Sequence, residues 1–165
     1  MLYPLLKRLP ERWRPPPVVT VVPLAGPIMP VGRGFRPALN LASLAGTSRR
    51  AFRLPGTVAV ALVINCPGGS AVQSALLHDR IRAEAEEARL PVLAFCDDVA
   101  ASGGYWLATA ADEIYANSHS IVGSIGVIAA GFGLAHLAEK LGLERRLYTG
   151  GERKSFHDPF LPEDP

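Results

Sequence analysis

A chain of 165 residues, 48% of them hydrophobic, is long enough to bury one core, which argues against disorder of the whole chain. The formal net charge of +2, from 17 basic and 15 acidic residues, argues against nucleic acid as a main partner. Two cysteines are too few for a disulfide framework, so Cys66 and Cys96 are expected to be reduced thiols.

Residues 1–17 form a basic, proline-rich leader. Leucines, Trp13 and basic side chains favour contact with an anionic membrane surface, whereas Pro4 and Pro10 oppose a regular amphipathic helix and favour a frayed segment. We expect no membrane-spanning helix and no cleavable signal peptide, because no apolar stretch has the required length or flanks. The compartment stays open between the cytoplasm and a membrane-associated location.

The first half of the chain alternates predicted strands with predicted helices. β-branched residues predict a short strand at 18–22, followed by a Pro/Gly-rich loop. Seven consecutive apolar residues at 58–64 predict a strand buried on both faces, as in a parallel sheet covered by helices. Apolar residues four apart predict a helix over 70–89 with Ser70 as its N-cap. Two further elements are expected, a helix over 39–52 and a buried strand over 91–96.

The second half continues this alternation. The expected elements are a helix over 102–111, a strand at 113–116, a helix over 134–141 and a short strand that ends at Leu147 and Tyr148. Strands and helices that alternate over short connections predict a layered α/β domain. We expect this domain to span 18–165 and to be incomplete at its C-terminal end, because the last eight residues resemble a loop with no closing element.

Residues 65–69 (Asn-Cys-Pro-Gly-Gly) connect a buried strand to a helix N-terminus. Unpaired backbone N–H groups and the helix dipole favour an anion at such a place. The glycines would let the backbone approach a ligand closely, although turn formation alone also selects Pro-Gly-Gly. The motif is therefore either an anion site or a simple turn.

Residues 100–105 (Ala-Ala-Ser-Gly-Gly-Tyr) place one hydroxyl, that of Ser102, among small residues after the second buried strand. A serine that opens a helix can be an ordinary N-cap. The alternative is a nucleophile, which needs open space and a backbone N–H beside the oxyanion that it creates. Gly103 would supply one such donor, and the 65–69 turn would supply a second if the two strands are neighbours.

A nucleophilic hydroxyl also needs a base. His78 and His136 fall within predicted helices and favour structural roles, while His119 and His157 fall in loops and stay open as candidates. Lys154 lies in a glycine-rich segment, 150–155, that resembles an active-site loop. A hydrated lysine is protonated at neutral pH and cannot accept a proton, so this role requires an apolar, water-poor pocket; a solvated charge is the alternative.

Ser124, within 122–127 (Val-Gly-Ser-Ile-Gly-Val), is a candidate to orient the amine of Lys154 through its hydroxyl. A turn serine is the simpler interpretation. Together with the segments above, this motif resembles the signal peptide peptidase A family, the SppA and SohB-like serine peptidases. Four motifs match in order: 65–69, 101–105, 123–127 and 151–154. The resemblance runs from about residue 18 to residue 160.

The resemblance implies a serine endopeptidase with the layered fold of Clp proteases and crotonases, built from repeated β-β-α units. Its implied nucleophile is Ser102, its general base Lys154, and the hydroxyl partner of the lysine Ser124. The implied oxyanion donors are Gly69 and Gly103, with Gly68 and Gly104 against the substrate. The implied substrates are hydrophobic peptides such as signal-peptide remnants, the implied assembly is a homo-oligomer, and no cofactor or metal is expected.

Three departures from the family pattern qualify this prediction. Cys66 replaces the usual serine, Arg153 stands where an aromatic residue is frequent, and the membrane-spanning N-terminal helix of the family is absent from this sequence. Cys66 is itself a weak alternative nucleophile, since it precedes a proline and has no evident base. The chain alone is expected to be unstable or inactive if further helices normally follow. Two other functions stay open: a crotonase-like acyl-CoA enzyme and a catalytically silent peptide-binding scaffold.

Overall fold

Five parallel strands form the sheet that positions the candidate site. The computed structural model describes residues 16–30, 38–151, 154, 155 and 157–162. The chain divides into two compact units, Met1–Gly126 and Val127–Pro165. The strands, all in the first unit, are β1 (Val18–Ala25), β2 (Thr57–Cys66), β3 (Val92–Ala101), β4 (Glu113–Ala116) and β5 (Ile121–Gly123).

The strand order is β1-β2-β3-β4, and β5 also pairs with β3. Because β2 occupies one edge of β3, the other edge carries β4 beside Leu93–Cys96 and β5 beside Val99–Ala101. Every pairing is parallel. The C-terminal ends of β2, β3 and β5 therefore meet at the same end of the sheet, where the glycine motifs follow.

Three described helices belong to the first unit: α1 (Leu41–Arg53), α2 (Ala71–Ala88) and α3 (Gly103–Ala108). The α1 helix begins with a capping box, in which the Asn40 side chain accepts a hydrogen bond from Ser43 N–H and the Ser43 hydroxyl accepts one from Asn40 N–H. Ser70 caps α2, because its side chain accepts a hydrogen bond from the Gln73 amide at 3.4 Å. The predicted N-cap of this helix is confirmed.

The core lies between the sheet and the apolar faces of α1 and α2. Alternate residues of β1 point into it, since Thr20, Val22 and Leu24 are buried while Val19 and Val21 are more than half exposed. In β2 both faces are buried, as the apolar run predicted. The buried residues of β2 include Ala59, Val60, Ala61, Leu62 and Ile64.

A buried carboxylate joins the two long helices. Glu84 of α2 accepts hydrogen bonds from the Ser48 hydroxyl of α1 and from Arg80 Nε at 2.8 Å. A buried charge requires such partners, because water no longer solvates it. The interface between α1 and α2 is therefore fixed by a polar contact as well as by apolar packing.

The layered α/β fold with a parallel sheet is confirmed, and most predicted elements are present with shifted ends. The helix predicted over 102–111 is shorter, and β5 was not predicted. The short strand predicted to end at Leu147 and Tyr148 is wrong, because both residues lie in irregular backbone. The predicted contact of the leader with a membrane involves residues 1–17, most of which lie outside the described residues. The domain boundaries stay a prediction.

One described helix, α4 (Ala135–Lys140), lies in the second unit. Leu134 N–H, before this helix, donates to the carbonyl oxygen of Pro159 at 2.6 Å, and Arg145 pairs with Asp158. Many large apolar side chains of this unit are exposed, for example Ile128 and Tyr148. None of the described helices in either unit has the length and apolar character that crossing a membrane requires.

Asp112 fastens the start of β3. Its carboxylate accepts the Val92 N–H at 2.8 Å and Arg82 Nη1 at 3.0 Å. The Val92 amide, with a further contribution from Arg82, lowers the pKa of Asp112 below its ordinary value. Folding therefore favours the charged form of Asp112. The carboxylate stabilises the folded state above the unfolded pKa of about 3.9, and this stabilisation is lost as the pH falls through the folded pKa.

Asp112→Ala is expected to reduce the free energy of unfolding at pH 7 by about 1 kcal/mol, a modest loss because the side chain is nearly half exposed. The difference from wild type should shrink as the pH is lowered to about 3. Urea unfolding followed by circular dichroism at both pH values measures it. Asp79→Ala, on the exposed side of α2, is the control. An equal difference at both pH values would contradict the assigned role of the carboxylate.

Candidate active site

Ser102 lies at the sharp turn between β3 and α3. Its backbone has φ 53° and ψ −120°, a region that residues other than glycine rarely occupy. Its side chain makes no capping hydrogen bond with α3, so the N-cap interpretation of this serine is not supported by the geometry. Ser102 is half-buried and stands on a strained strand-to-helix turn, as nucleophilic serines do in some hydrolases.

The two glycines after Ser102 allow this turn to pack against the core. A Cβ at Gly103 would overlap with the Ser74 hydroxyl of α2, and a Cβ at Gly104 would overlap with the carbonyl oxygen of Cys66. Both glycines are buried. Their absence of side chains is therefore a packing requirement, which holds Ser102 close to the ends of β2 and α2.

The Pro-Gly-Gly turn after β2 is in contact with the Ser102 turn, as predicted from the expected strand neighbours. A Cβ built on Gly68 would lie 2.7 Å from the Gly103 nitrogen and 2.8 Å from Ser102 Cβ. Gly68 has φ 93° and Gly69 has φ 145°, both in the region that favours glycine. The structure thus brings together Gly68, Gly69, Ser102, Gly103 and Gly104.

Two backbone donors at this junction have no partner among the described residues. No hydrogen bond there engages the amide of Gly69 or that of Gly103. The Gly103 amide belongs to the first turn of α3, where helical N–H groups lack internal acceptors. The neighbours of Gly69 are paired instead, through the Gly68 carbonyl and the Ser70 amide. Backbone N–H groups beside a serine hydroxyl can stabilise an oxyanion, and this role of Gly69 and Gly103 stays a prediction.

Ser124 lies directly after β5, which places it next to Ser102 in the sheet register. Ala101 of β3 pairs with Gly123 of β5, and the Ser102 amide donates to the Gly123 carbonyl at 2.7 Å. Ser124 also has a positive φ, 52°. The structure therefore brings the two serines to the same end of neighbouring strands.

Lys154 lies in the second unit, in a turn, and its side chain is exposed. Its described neighbour is Gly151, where an added Cβ would lie 3.7 Å from the lysine Cγ. The segment between them includes Glu152 and Arg153, which are outside the described residues. The pairing of Lys154 with Ser102, and the water-poor pocket that it requires, stay predictions.

The model of peptidase family S49 matches residues 84–163, which include Ser102, Ser124 and Lys154. Residues 84–163 are therefore similar to peptidase family S49, in agreement with the resemblance seen in the sequence motifs. Chloroplastic serine protease SPPA of Arabidopsis thaliana is 45% identical over 89 residues, 54% of this chain and 13% of that protein. A putative signal peptide peptidase SppA of Enterococcus faecium is 35% identical over 100 residues, 61% of this chain and 29% of that protein.

A protein named Na(+)/H(+) antiporter NhaA from Brucella melitensis is 52% identical over 161 residues. The alignment covers 96% of this chain and 22% of that protein, so most of the antiporter lies outside it. The alignments therefore cover only 13% to 29% of the lengths of these three relatives.

The fold also resembles a solved structure, that of a mutant of the 1510-N membrane-bound stomatin-specific protease in which one serine is replaced by alanine. The TM-score is 0.52 at 18% identity, and the match covers 72% of this chain and 52% of the other. At this identity the likeness concerns the fold alone.

The other candidates for the nucleophile and the base have different surroundings. Burial raises the pKa of the Cys66 thiol, and the Gly68 N–H only partly offsets this effect, so Cys66 is a poor thiolate nucleophile. His119 is exposed and hydrogen bonded to Asn117. His78 contacts Asp79 on α2, and His136 is exposed on α4. No group of three or more His, Cys, Asp or Glu among the described residues could hold a metal ion.

Sequence reasoning missed two residues that contact the glycine turns. Ser74 of α2 is fully buried under Gly103 and donates its hydroxyl proton to the Ser70 carbonyl at 2.8 Å. Ile28 lies in the loop after β1 and reaches both turns. For Ser74, a serine one turn after a helix cap is a weak sequence signal. For Ile28, the Pro/Gly-rich loop contains no signal.

Proposed function

We propose that this chain is the catalytic part of a serine peptidase in which Ser102 attacks the scissile carbonyl and Lys154 is the general base. One observation carries the proposal: the uncapped Ser102 hydroxyl stands on a strained turn beside the amides of Gly69 and Gly103, which have no acceptor within the described part of the chain. The match of residues 84–163 to the model of a peptidase family supports the same reaction class.

The proposed mechanism begins with neutral Lys154, which takes the proton of Ser102 as the hydroxyl oxygen bonds to the carbonyl carbon. The negative charge moves to the carbonyl oxygen, where the N–H groups of Gly69 and Gly103 stabilise it. Protonated Lys154 then donates its proton to the leaving amine as the peptide bond breaks. Water hydrolyses the acyl-enzyme with Lys154 again as base, and this step restores the Ser102 hydroxyl.

Ser124 is proposed to orient the amine of Lys154 with its hydroxyl. The register of β3 and β5 supports a place for Ser124 beside the nucleophile. Gly68 and Gly104 are proposed to lie against the substrate backbone, as the family resemblance implies. Burial of the lysine in the working assembly is a requirement of this mechanism, because a hydrated amine stays protonated.

The proposed substrates are hydrophobic peptides such as signal-peptide remnants, in keeping with the name of the Enterococcus faecium relative. We further propose a homo-oligomer. Exposed Ile128, Phe132 and Tyr148 in the second unit, each at least 84% exposed, are side chains of the kind that subunit interfaces bury. A peptide substrate and a second copy of the chain are thus the proposed partners.

A fluorophosphonate probe, which labels activated serines, tests the proposal on the full-length protein. We expect labelling of wild type, with a loss of at least about 100-fold in rate in both Ser102→Ala and Lys154→Ala. Lys140→Ala, an exposed lysine of α4 in the same unit as Lys154, is the matched control and should label normally. Circular dichroism checks that each variant is folded.

Each other outcome rejects a defined part of the proposal. Labelling that persists in Ser102→Ala would reject the nucleophile. Labelling that persists in Lys154→Ala, with loss in Ser102→Ala, would reject only the base. Absence of labelling in folded wild type would favour a peptide-binding scaffold or an acyl-CoA enzyme, neither of which needs an activated serine.

A further inference from the structure

We infer that Ile28 is a positioning residue that sets the distance between the two oxyanion donors, Gly69 and Gly103. The inference rests on the proposed function, because it concerns how those donors are held. Ile28 follows β1 in a loop rich in proline and glycine, is only 1% exposed, and is far in sequence from both turns.

The backbone of Ile28 fixes the orientation of Gly69. Ile28 N–H donates to the Gly68 carbonyl at 2.8 Å, and the Ile28 carbonyl accepts the Ser70 N–H at 2.8 Å. These two bonds form a parallel bridge between Ile28 and Gly69. In a parallel bridge of this kind, the two residues that flank Gly69, Gly68 and Ser70, make the hydrogen bonds to Ile28. The N–H of Gly69 itself therefore points to the opposite side of its chain segment. The bridge thus leaves this donor free and aims it away from Ile28.

The side chain of Ile28 reaches the second donor. A Cβ built on Gly103 would lie 3.0 Å from Ile28 Cδ1, so the terminal methyl group packs directly against the Gly103 backbone. The same residue therefore holds Gly69 through its main chain and supports Gly103 through its side chain. Any change in this side chain alters the position of one donor relative to the other.

Ile28 is itself held from the far side by the segment that leads into α1. Met29 N–H donates to the Leu39 carbonyl, and Leu39 N–H donates to the Pro27 carbonyl, each at 3.0 Å. Leu39 is buried, and Asn40 after it caps α1. The segment that contains Ile28 therefore lies between the segments of Leu39 and Gly69 and is hydrogen bonded to both. These bonds support the position of the Gly69 donor.

The chemistry predicts which kinetic constant should change. Oxyanion donors act on charge that develops in the transition state, so a displaced donor lowers kcat and leaves substrate binding nearly unchanged. Loss of one whole donor typically costs about 10²- to 10³-fold in kcat. Removal of the Cδ1 methyl group displaces the donor without removing it, and we therefore expect about a 10-fold loss.

The experiment compares Ile28→Val with Ile81→Val in the full-length protein. Ile81 is a fully buried isoleucine of α2, about three helical turns from Ser70, and its replacement deletes the same methyl group from the same core. We expect both variants to show a similar fall in the midpoint of thermal unfolding. Only Ile28→Val should lose about 10-fold in kcat for a peptide substrate, with KM within about twofold of wild type.

Equal kcat in Ile28→Val and wild type would overturn the inference and leave the proposed function intact. A similar loss of kcat in Ile81→Val would also overturn it, because a general loosening of the core would then explain both. If wild type shows no Ser102-dependent hydrolysis, the proposed function fails and the inference fails with it. This result is distinguishable from the first two, because in those the wild-type protein is active.

Discussion

Ser102→Gly is expected to abolish peptide hydrolysis while leaving the protein about 1 kcal/mol more stable to unfolding than Ser102→Ala. Both variants lack the hydroxyl, so kcat should fall by about 10³-fold or more in each. They differ in the backbone, because φ 53° with ψ −120° strains any residue with a Cβ by about 1 to 3 kcal/mol. Glycine relieves this strain but costs about 0.4 to 1 kcal/mol of extra unfolded-state entropy.

Urea unfolding and a peptide hydrolysis assay on the three proteins measure both effects. Ser120→Ala, another partly buried serine of the first unit, is a control for the loss of a hydroxyl and should keep its kcat. Equal stability of Ser102→Gly and Ser102→Ala would show that the turn stores no strain. Residual Ser102-independent hydrolysis at the wild-type rate would reject Ser102 as the nucleophile.

Elements with strong local signals were predictable from the sequence. The apolar run at 58–64 lies within β2, which is buried on both faces. Ser70 caps α2, because a short hydroxyl side chain suits that position. β5 could not be predicted in this way. It has only three residues, and its existence depends on pairing with the end of β3, a contact that no local pattern specifies.

The short strand expected at Leu147 and Tyr148 shows the opposite error. Apolar and aromatic residues there have strand propensity, yet Tyr148 is 91% exposed and no described strand pairs with it. Propensity describes how well a residue fits a half-buried sheet surface, so it fails where no such surface is offered. The same limit explains why a strand was expected and an irregular backbone is found.

The candidate site divides along similar lines. Ser102 and the Pro-Gly-Gly turn could be placed together because each follows a strongly predicted parallel strand, and neighbouring parallel strands end on the same side. The role of Ile28 could not be predicted, because its contacts join segments that are distant in the sequence. Some of them are backbone hydrogen bonds, which any residue type except proline can make. Lys154 carries a sequence signal, and its pairing with Ser102 stays a prediction.

Gly69→Ala is expected to lower kcat by about 10²- to 10³-fold, as loss of one oxyanion donor does in other hydrolases. The added Cβ would overlap with the Ile28 carbonyl oxygen, and φ 145° disfavours any side chain at this position. The turn must therefore move away from Ile28, and the Gly69 N–H moves with it. We also expect the free energy of unfolding to fall by about 2 kcal/mol, from overlap and backbone strain together.

Gly46→Ala is the matched control for Gly69→Ala, because the chemical change is identical and its surroundings are open. Gly46 lies within α1 with no atom near an added Cβ, so alanine should raise the free energy of unfolding by about 0.8 kcal/mol through helix propensity and leave kcat unchanged. Thermal unfolding and kcat for the same peptide are measured on both variants. Wild-type kcat in a folded Gly69→Ala protein would exclude the Gly69 amide as a donor, since a turn displaced from Ile28 cannot keep its N–H on the oxyanion.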